Sequence, residues 1–116
     1  MEIGNRPWGS YYVLENTDIY KLKRIEVKVG GRLSYQYHEH RAEVWTIVQG
    51  EALVTLEGED IKFKAGEVVQ IPLNAKHRIQ NIGTDTLIFI EVQYGTYFGE
   101  DDIIRIEDDY NRNSND

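Results

Sequence analysis

The chain alternates apolar and polar residues over most of its length. Residues 21–29, KLKRIEVKV, place Ile25, Val27 and Val29 on one face, the period-two signature of a half-buried strand. Gly30-Gly31 follows as a turn. Residues 33–40, LSYQYHEH, alternate again, and one of their faces reads Ser34, Gln36, His38, His40. Residues 43–49, EVWTIVQ, are β-branched and aromatic, and Gly50-Glu51 forms a tight turn into the return strand ALVTLEG. Further short strands are expected at Ile61 to Lys64, Glu67 to Ile71, His77 to Asn81 and Thr86 to Gln93, separated by Ala65-Gly66, Pro72 and Gly83-Thr84-Asp85. Strands that recur roughly every 8 to 12 residues with turn residues between them predict an antiparallel all-β sandwich or barrel. No segment carries a sustained helical period. Ile103, Ile104 and Ile106 are expected to dock the C-terminal segment, and residues 113–116 to form a frayed tail.

A length of 116 residues fits one domain, 1–116, with a single core. No apolar run reaches the roughly 20 residues that span a bilayer, and the first ten residues lack a signal-peptide pattern, so a cytoplasmic protein with no membrane partner is expected. Cysteine is absent, which excludes disulfide scaffolds, thiolate metal sites and cysteine nucleophiles. The net charge of −7 argues against nucleic acid as a partner. The acid is concentrated: residues 100–116 hold 7 acids against Arg105 and Arg112, while residues 1–99 hold 13 acids against 11 bases. The body of the domain is therefore close to neutral and can still offer an anionic ligand a locally basic pocket.

The chemistry-bearing residues are few. The only histidines are His38, His40 and His77. As residues i and i+2 of one strand, His38 and His40 should face the same way, together with Gln36. A solvated polar face would look the same, so this strand alone decides nothing. The wider spacing is more informative: Gly30-x5-Gln36-x-His38-x4-Glu43-x6-Gly50, and then Gly66-x5-Pro72-x-Asn74-x2-His77-x3-Asn81.

These spacings resemble the two motifs of the cupin superfamily, with Gln36 in place of the first histidine and Asn74 in place of a glycine. Asn is tolerated in the left-handed conformation such a position asks for. The resemblance implies a double-stranded β-helix, or jelly-roll barrel, with little helix. It also implies one divalent metal ion on Gln36, His38, Glu43 and His77. Two imidazoles, a carboxylate and an amide oxygen suit Zn, with Mn, Fe, Co or Ni as alternatives.

A narrower resemblance rests on RPWGSYYVLE at the start, Gln36-x-His38-x-His40-Arg41-x-Glu43-x-Trp45 in the middle and GEDDI-x-R near the end. Together they are similar to the type II mannose-6-phosphate isomerase domain, the C-terminal cupin of bifunctional mannose-1-phosphate guanylyltransferase/mannose-6-phosphate isomerases. The guanylyltransferase part has no counterpart within these residues, so the isomerase module is expected standing alone. The resemblance implies interconversion of mannose 6-phosphate and fructose 6-phosphate through an ene-diolate, with a sugar phosphate as ligand and, by analogy with cupins, a homodimer.

Position suggests roles for other residues. Arg41, placed in a turn between the two ligand strands, is expected to bind a substrate oxyanion or phosphate. Lys23 shares parity with Ile25 and Val27 and should point into the barrel, for proton transfer or phosphate contact, or with its stem covering an apolar rim. Lys23, His40 and Glu91 remain alternatives for the general base; Glu91 and Arg105 cannot be placed by parity. Trp8 and Trp45 read as core or rim. Two rival classes stay open: a sugar-phosphate-binding or regulatory cupin without turnover, and a non-haem metal oxygenase, which the extra ligand Gln36 disfavours.

Overall fold

The computed structural model describes residues 1–110, so the expected tail at 113–116 lies outside the described residues. Among the described residues eleven strands follow one another: β1 Glu2–Arg6, β2 Gly9–Asn16, β3 Tyr20–Val27, β4 Tyr35–His38, β5 Arg41–Gln49, β6 Glu51–Leu56, β7 Glu59–Lys64, β8 Val68–Ile71, β9 His77–Asn81, β10 Leu87–Gly95 and β11 Ile103–Glu107. A 3-10 turn, Glu100–Asp102, precedes β11. The strands form two antiparallel sheets in the orders β1-β2-β3-β10-β5-β8 and β11-β4-β9-β6-β7. The all-β, antiparallel barrel expected from the turn spacing is the architecture observed.

The interior side chains of the larger sheet explain why the barrel has one greasy end and one polar end. The buried positions read Lys21, Lys23, Ile25, Val27 along β3, Arg41, Glu43, Trp45, Ile47 along β5 and Leu87, Phe89, Glu91, Gln93 along β10. Antiparallel pairing sets Val27 against Leu87 and Ile25 against Phe89, and at the other end Lys23 against Glu91 and Gln93 against Glu43. The apolar halves therefore coincide, joined by Val54 and Ile79 from the facing sheet and by Trp8 and Tyr11. Burying these side chains stabilises the fold by about 1.5–3 kcal/mol for each large aliphatic or aromatic one. The polar halves coincide as well, and they form the site.

Several expectations are corrected. The strand expected over 33–40 covers only Tyr35–His38, and Glu39-His40 is a bend. His40 is thus not on the face of His38: its side chain is 55% exposed, against 2% for His38. The turn lies at Glu39-His40 rather than at Arg41-Ala42, and Arg41 opens β5. Val29 falls beyond the end of β3 and is exposed, because the chain has already turned toward Gly30. Two strands at the N-terminus were not anticipated, although Tyr11 and Val13 alternate inward along β2. Asn74 does take the left-handed conformation, with φ of 64°. Gly95, at φ of 153°, brings β10 so close to the bend that a Cβ there would lie 2.3 Å from the His40 carbonyl oxygen.

Candidate metal and sugar-phosphate site

Five strands bring their polar ends together at one mouth of the barrel. β4 delivers Gln36 and His38, β5 delivers Arg41 and Glu43, β9 begins at His77, and β3 and β10 add Lys23 and Glu91. Gln36 pairs with His77 across the small sheet. Gln36, Arg41, Glu43, His77, Lys23 and Glu91 line one cleft, and His38 is buried beside Glu43.

His38, Glu43 and His77 each offer one ligand atom, and these atoms all lie within 4.8 Å of one another. All three side chains are buried. Glu43 is held at both oxygens: Trp45 Nε1 donates to Oε1 at 2.9 Å and Arg41 Nε to Oε2 at 3.0 Å, with His38 Nε2 3.1 Å from Oε2. Burial by itself would raise the Glu43 carboxyl, but the charges of His38 and Arg41 and the bond from His38 outweigh it and hold it well below the usual range. Burial pushes His77 down to about 4, against the pull of Glu43. His77 is therefore neutral at ordinary pH, the form that can ligate a metal.

The donor set fits a divalent cation on an observation independent of motif. His77 Nε2 is buried without a hydrogen-bond partner among the described residues, as is His38 Nδ1. The other nitrogen of His77 sits 2.9 Å from the Ala75 carbonyl, and a carbonyl can only accept. Nδ1 must then carry the proton, which leaves the Nε2 lone pair facing the cluster. Gln36 also lines the cleft, but Ser34 Oγ donates to its Oε1 and its Nε2 is the atom turned to His38, 3.5 Å from Nε2. An amide rotation brings its oxygen round.

Lys23 and Arg41 are both 3% exposed and both line the cleft. Lys23 Nζ stands over the Tyr11 ring, 4.5 Å from its centroid, and 3.0 Å from Glu100 Oε2. Glu91 lines the same cleft and accepts from Gln93 Nε2 at 2.6 Å. Burial first, then the charge of Glu43 and a hydrogen bond with it, push Glu91 up to about 8, against Lys23 and Arg41. Arg105 is a lining residue too. His40 is not: its Nδ1 donates to Asp102 on the outside of the barrel, at 2.8 Å. Trp45 is core, as expected, and it also touches the site, with its ring edge-on to His77 at 5.6 Å.

Two participants escaped the sequence reading, Glu100 and Gln93, and so did Asp102, which holds the bend at Glu39-His40 outside the cleft. For Gln93 a signal existed, because it shares parity with Leu87 and Phe89. Glu100 and Asp102 sit in a turn with no periodicity and act on residues far away in the chain.

Fold and site together define a cupin whose cluster of two histidines and one carboxylate could hold a metal ion. The chain belongs to the family described as "Mannose-6-phosphate isomerase C-terminal", whose model matches residues 2–108. It is 47% identical over 108 residues to a mannose-1-phosphate guanylyltransferase of Salmonella montevideo, covering 93% of this chain and 23% of that protein. It is 46% identical over 107 residues to the alginate biosynthesis protein AlgA of Pseudomonas aeruginosa, covering 92% and 22%. The chain thus spans less than a quarter of the length of these relatives. Among solved structures, it resembles the formate complex of Lactobacillus farciminis oxalate decarboxylase, with a TM-score of 0.79, 26% identity and coverage of 90% and 33%. The cupin domain of Schizosaccharomyces pombe Cnp3, at a TM-score of 0.72, 18% identity and coverage of 74% and 64%, shares the fold. Among the described residues no helix is long and apolar enough to cross a membrane.

Proposed function

We propose that this domain is a metal-dependent aldose–ketose isomerase acting on mannose 6-phosphate and fructose 6-phosphate. The observation that carries the reading is the buried trio His38, Glu43 and His77, with an unpartnered His77 Nε2, at the floor of a cleft that also holds Lys23, Arg41 and Glu91. The family and the names of the relatives support the substrate class.

The trio, with Gln36 as a fourth ligand through its amide oxygen, would hold a divalent ion, which would supply Lewis-acid chemistry. The protein's own groups do the rest. Isomerisation takes a proton from one of C1 and C2 and returns it to the other. Glu91 is the carboxyl assigned to that transfer. It faces the cleft, whereas His40 faces outward and Lys23 is engaged with Glu100. Arg41, anchored through Nε on Glu43, presents its other N–H groups to an anionic oxygen. Trp45 keeps Glu43 oriented.

The test is a coupled assay for fructose 6-phosphate formed from mannose 6-phosphate by wild type and by Glu91→Gln, both loaded with a divalent ion. The reading expects turnover by wild type, and a loss of about 100-fold or more in Glu91→Gln at unchanged metal content. Sugar-phosphate binding without any turnover would make the domain a binding module instead.

A further inference from the structure

Lys23 and Arg41 project from different strands, and both meet one carboxylate supplied from 77 and 59 residues further along the chain. Glu100 Oε2 is 3.0 Å from Lys23 Nζ and 3.8 Å from Arg41 Nη1. The Glu100 side chain lines the cleft and remains 22% exposed, so it closes the cleft from the solvent side. Burial works to raise its carboxyl, but Lys23 and Arg41 outweigh this and hold it below its ordinary value, so it is ionised.

Besides the Lys23–Glu100 pair, the segment that carries Glu100 is fastened at both edges. Lys21 Nζ donates to the Phe98 carbonyl and Arg41 Nη1 to the Gly99 carbonyl, both at 3.4 Å. On the far side, Asp102 accepts from the backbone N–H groups of Glu39 and His40 at 3.3 and 3.0 Å. The cleft side is held by the Lys23–Glu100 pair at 3.0 Å and two longer bonds, and the outer side by Asp102, so exchange of the Lys23–Glu100 pair frees one edge of a strap that stays anchored at the other.

Lys23 and Arg41 face Glu100, and Arg41 is also paired through Nε with the buried Glu43 at 3.0 Å, so Glu100 is the carboxylate at the mouth that can be exchanged. Exchanging that carboxylate for a second monoanion gains no charge interaction. Exchanging it for a dianion gains a further unit of attraction at a site largely shielded from water. A ligand that must evict Glu100 binds with an affinity reduced by the fraction of time the subsite is open.

We infer that Lys23 and Arg41 form a subsite for a dianionic group of the phosphate class, and that Glu100 is its internal occupant, displaced together with the strap when the ligand enters. The inference rests on the reading that this cleft receives a sugar phosphate, and it goes further in naming the residues that seat the phosphate and the one that competes for the seat. Glu100 acts as a threshold: neutral sugars and monoanions fail to open the strap.

The experiment uses inorganic phosphate as probe, at a pH where it is dianionic and at constant ionic strength. Calorimetric titration compares wild type, Glu100→Gln and Lys23→Met. Glu100→Gln should bind phosphate about tenfold or more tightly than wild type, and Lys23→Met should lose binding. Unchanged or weaker phosphate binding in Glu100→Gln would overturn the proposal, as would phosphate binding that survives Lys23→Met. A second readout needs no variant: phosphate should speed hydrogen exchange at the amides of residues 99–102 of wild type, whereas slowed exchange there would contradict displacement. Because the probe is not a substrate, these results are independent of turnover, so a failed isomerase assay and a failed strap are told apart.

Discussion

His77 donates its Nδ1 proton to the Ala75 carbonyl at 2.9 Å, and that one bond decides which ring nitrogen the site can use. With Nδ1 committed, Nε2 is a lone pair in a buried cluster with His38 and Glu43. Burying an unpaired acceptor costs about 1–3 kcal/mol, and an incoming cation recovers it.

His77→Ala should therefore cut affinity for a divalent ion by at least about 100-fold, because it removes one of three buried ligands. Competitive titration against a chromogenic chelator measures this. A variant that still holds one equivalent as tightly as wild type would remove His77 from the ligand set.

Trp45 provides a finer test. Its indole N–H is the donor on Glu43 Oε1 at 2.9 Å. Trp45→Phe keeps most of the packing against Phe89 and His77 and deletes only that donor. Metal affinity should fall by about 10–100-fold while the fold stays cooperative, the usual effect of losing a partner that orients a ligand. The same chelator titration, paired with a thermal melt, separates a weakened site from a weakened core.

Arg41→Lys keeps a positive charge but loses the planar fork that serves Glu43 and the cleft at once. Steady-state kinetics should show a drop of at least about tenfold in kcat/KM at unchanged metal content. A change confined to KM assigns Arg41 to ground-state phosphate binding, and a matching loss in kcat assigns it to the reacting oxygens. Wild-type kinetics would leave Arg41 only its ion pair with Glu43.

The strap's outer anchor makes stability depend on pH. The Asp102 carboxyl is held below its ordinary value: burial opposes this, and the bonds from the His40 side chain and from the His40 and Glu39 backbone prevail. The His40 imidazole is raised, first by its hydrogen bond to Asp102 and then by that residue's charge. A lowered acid contributes stability above its unfolded value near 3.8 and loses it as pH falls through the lower folded value. A raised histidine contributes below its unfolded value near 6.5 and loses that share as pH rises through the higher folded value. Asp102→Asn should lower Tm by a few degrees near pH 6, since two backbone donors lose a charged acceptor worth about 1 kcal/mol or more. The difference should close as pH falls below the folded pKa of Asp102. A gap that is independent of pH would mean shape rather than charge anchors the strap.

How much of this could be read in advance depended on what each residue answers to. His38, Glu43 and His77 stand at the spacings of two motifs, and it is their resemblance to the cupin pattern that implied one ligand set, since His77 lies in β9, well beyond β4 and β5. Lys23 followed from parity, because β3 alternates without a break from Lys21 to Val27. His40 failed under the same rule, because β4 stops at His38 and the bend turns the next side chain out to Asp102. Glu91 shares the inward parity of Leu87, Phe89 and Gln93 along β10, but only the register of β10 against β3 sets it opposite Lys23. Glu100 looked like one acid among many in a charged C-terminal stretch. Only the three-dimensional return of the chain after β10 puts it on Lys23.

The account is tested most directly by turnover of mannose 6-phosphate in a single preparation, measured as purified, after chelation and after return of one equivalent of a divalent ion. The account predicts fructose 6-phosphate from the loaded protein, at least about a 100-fold loss on chelation, and recovery when the ion is restored. Turnover that ignores chelation, or no turnover with any of Zn, Mn, Fe, Co or Ni at full occupancy of the site, would contradict it.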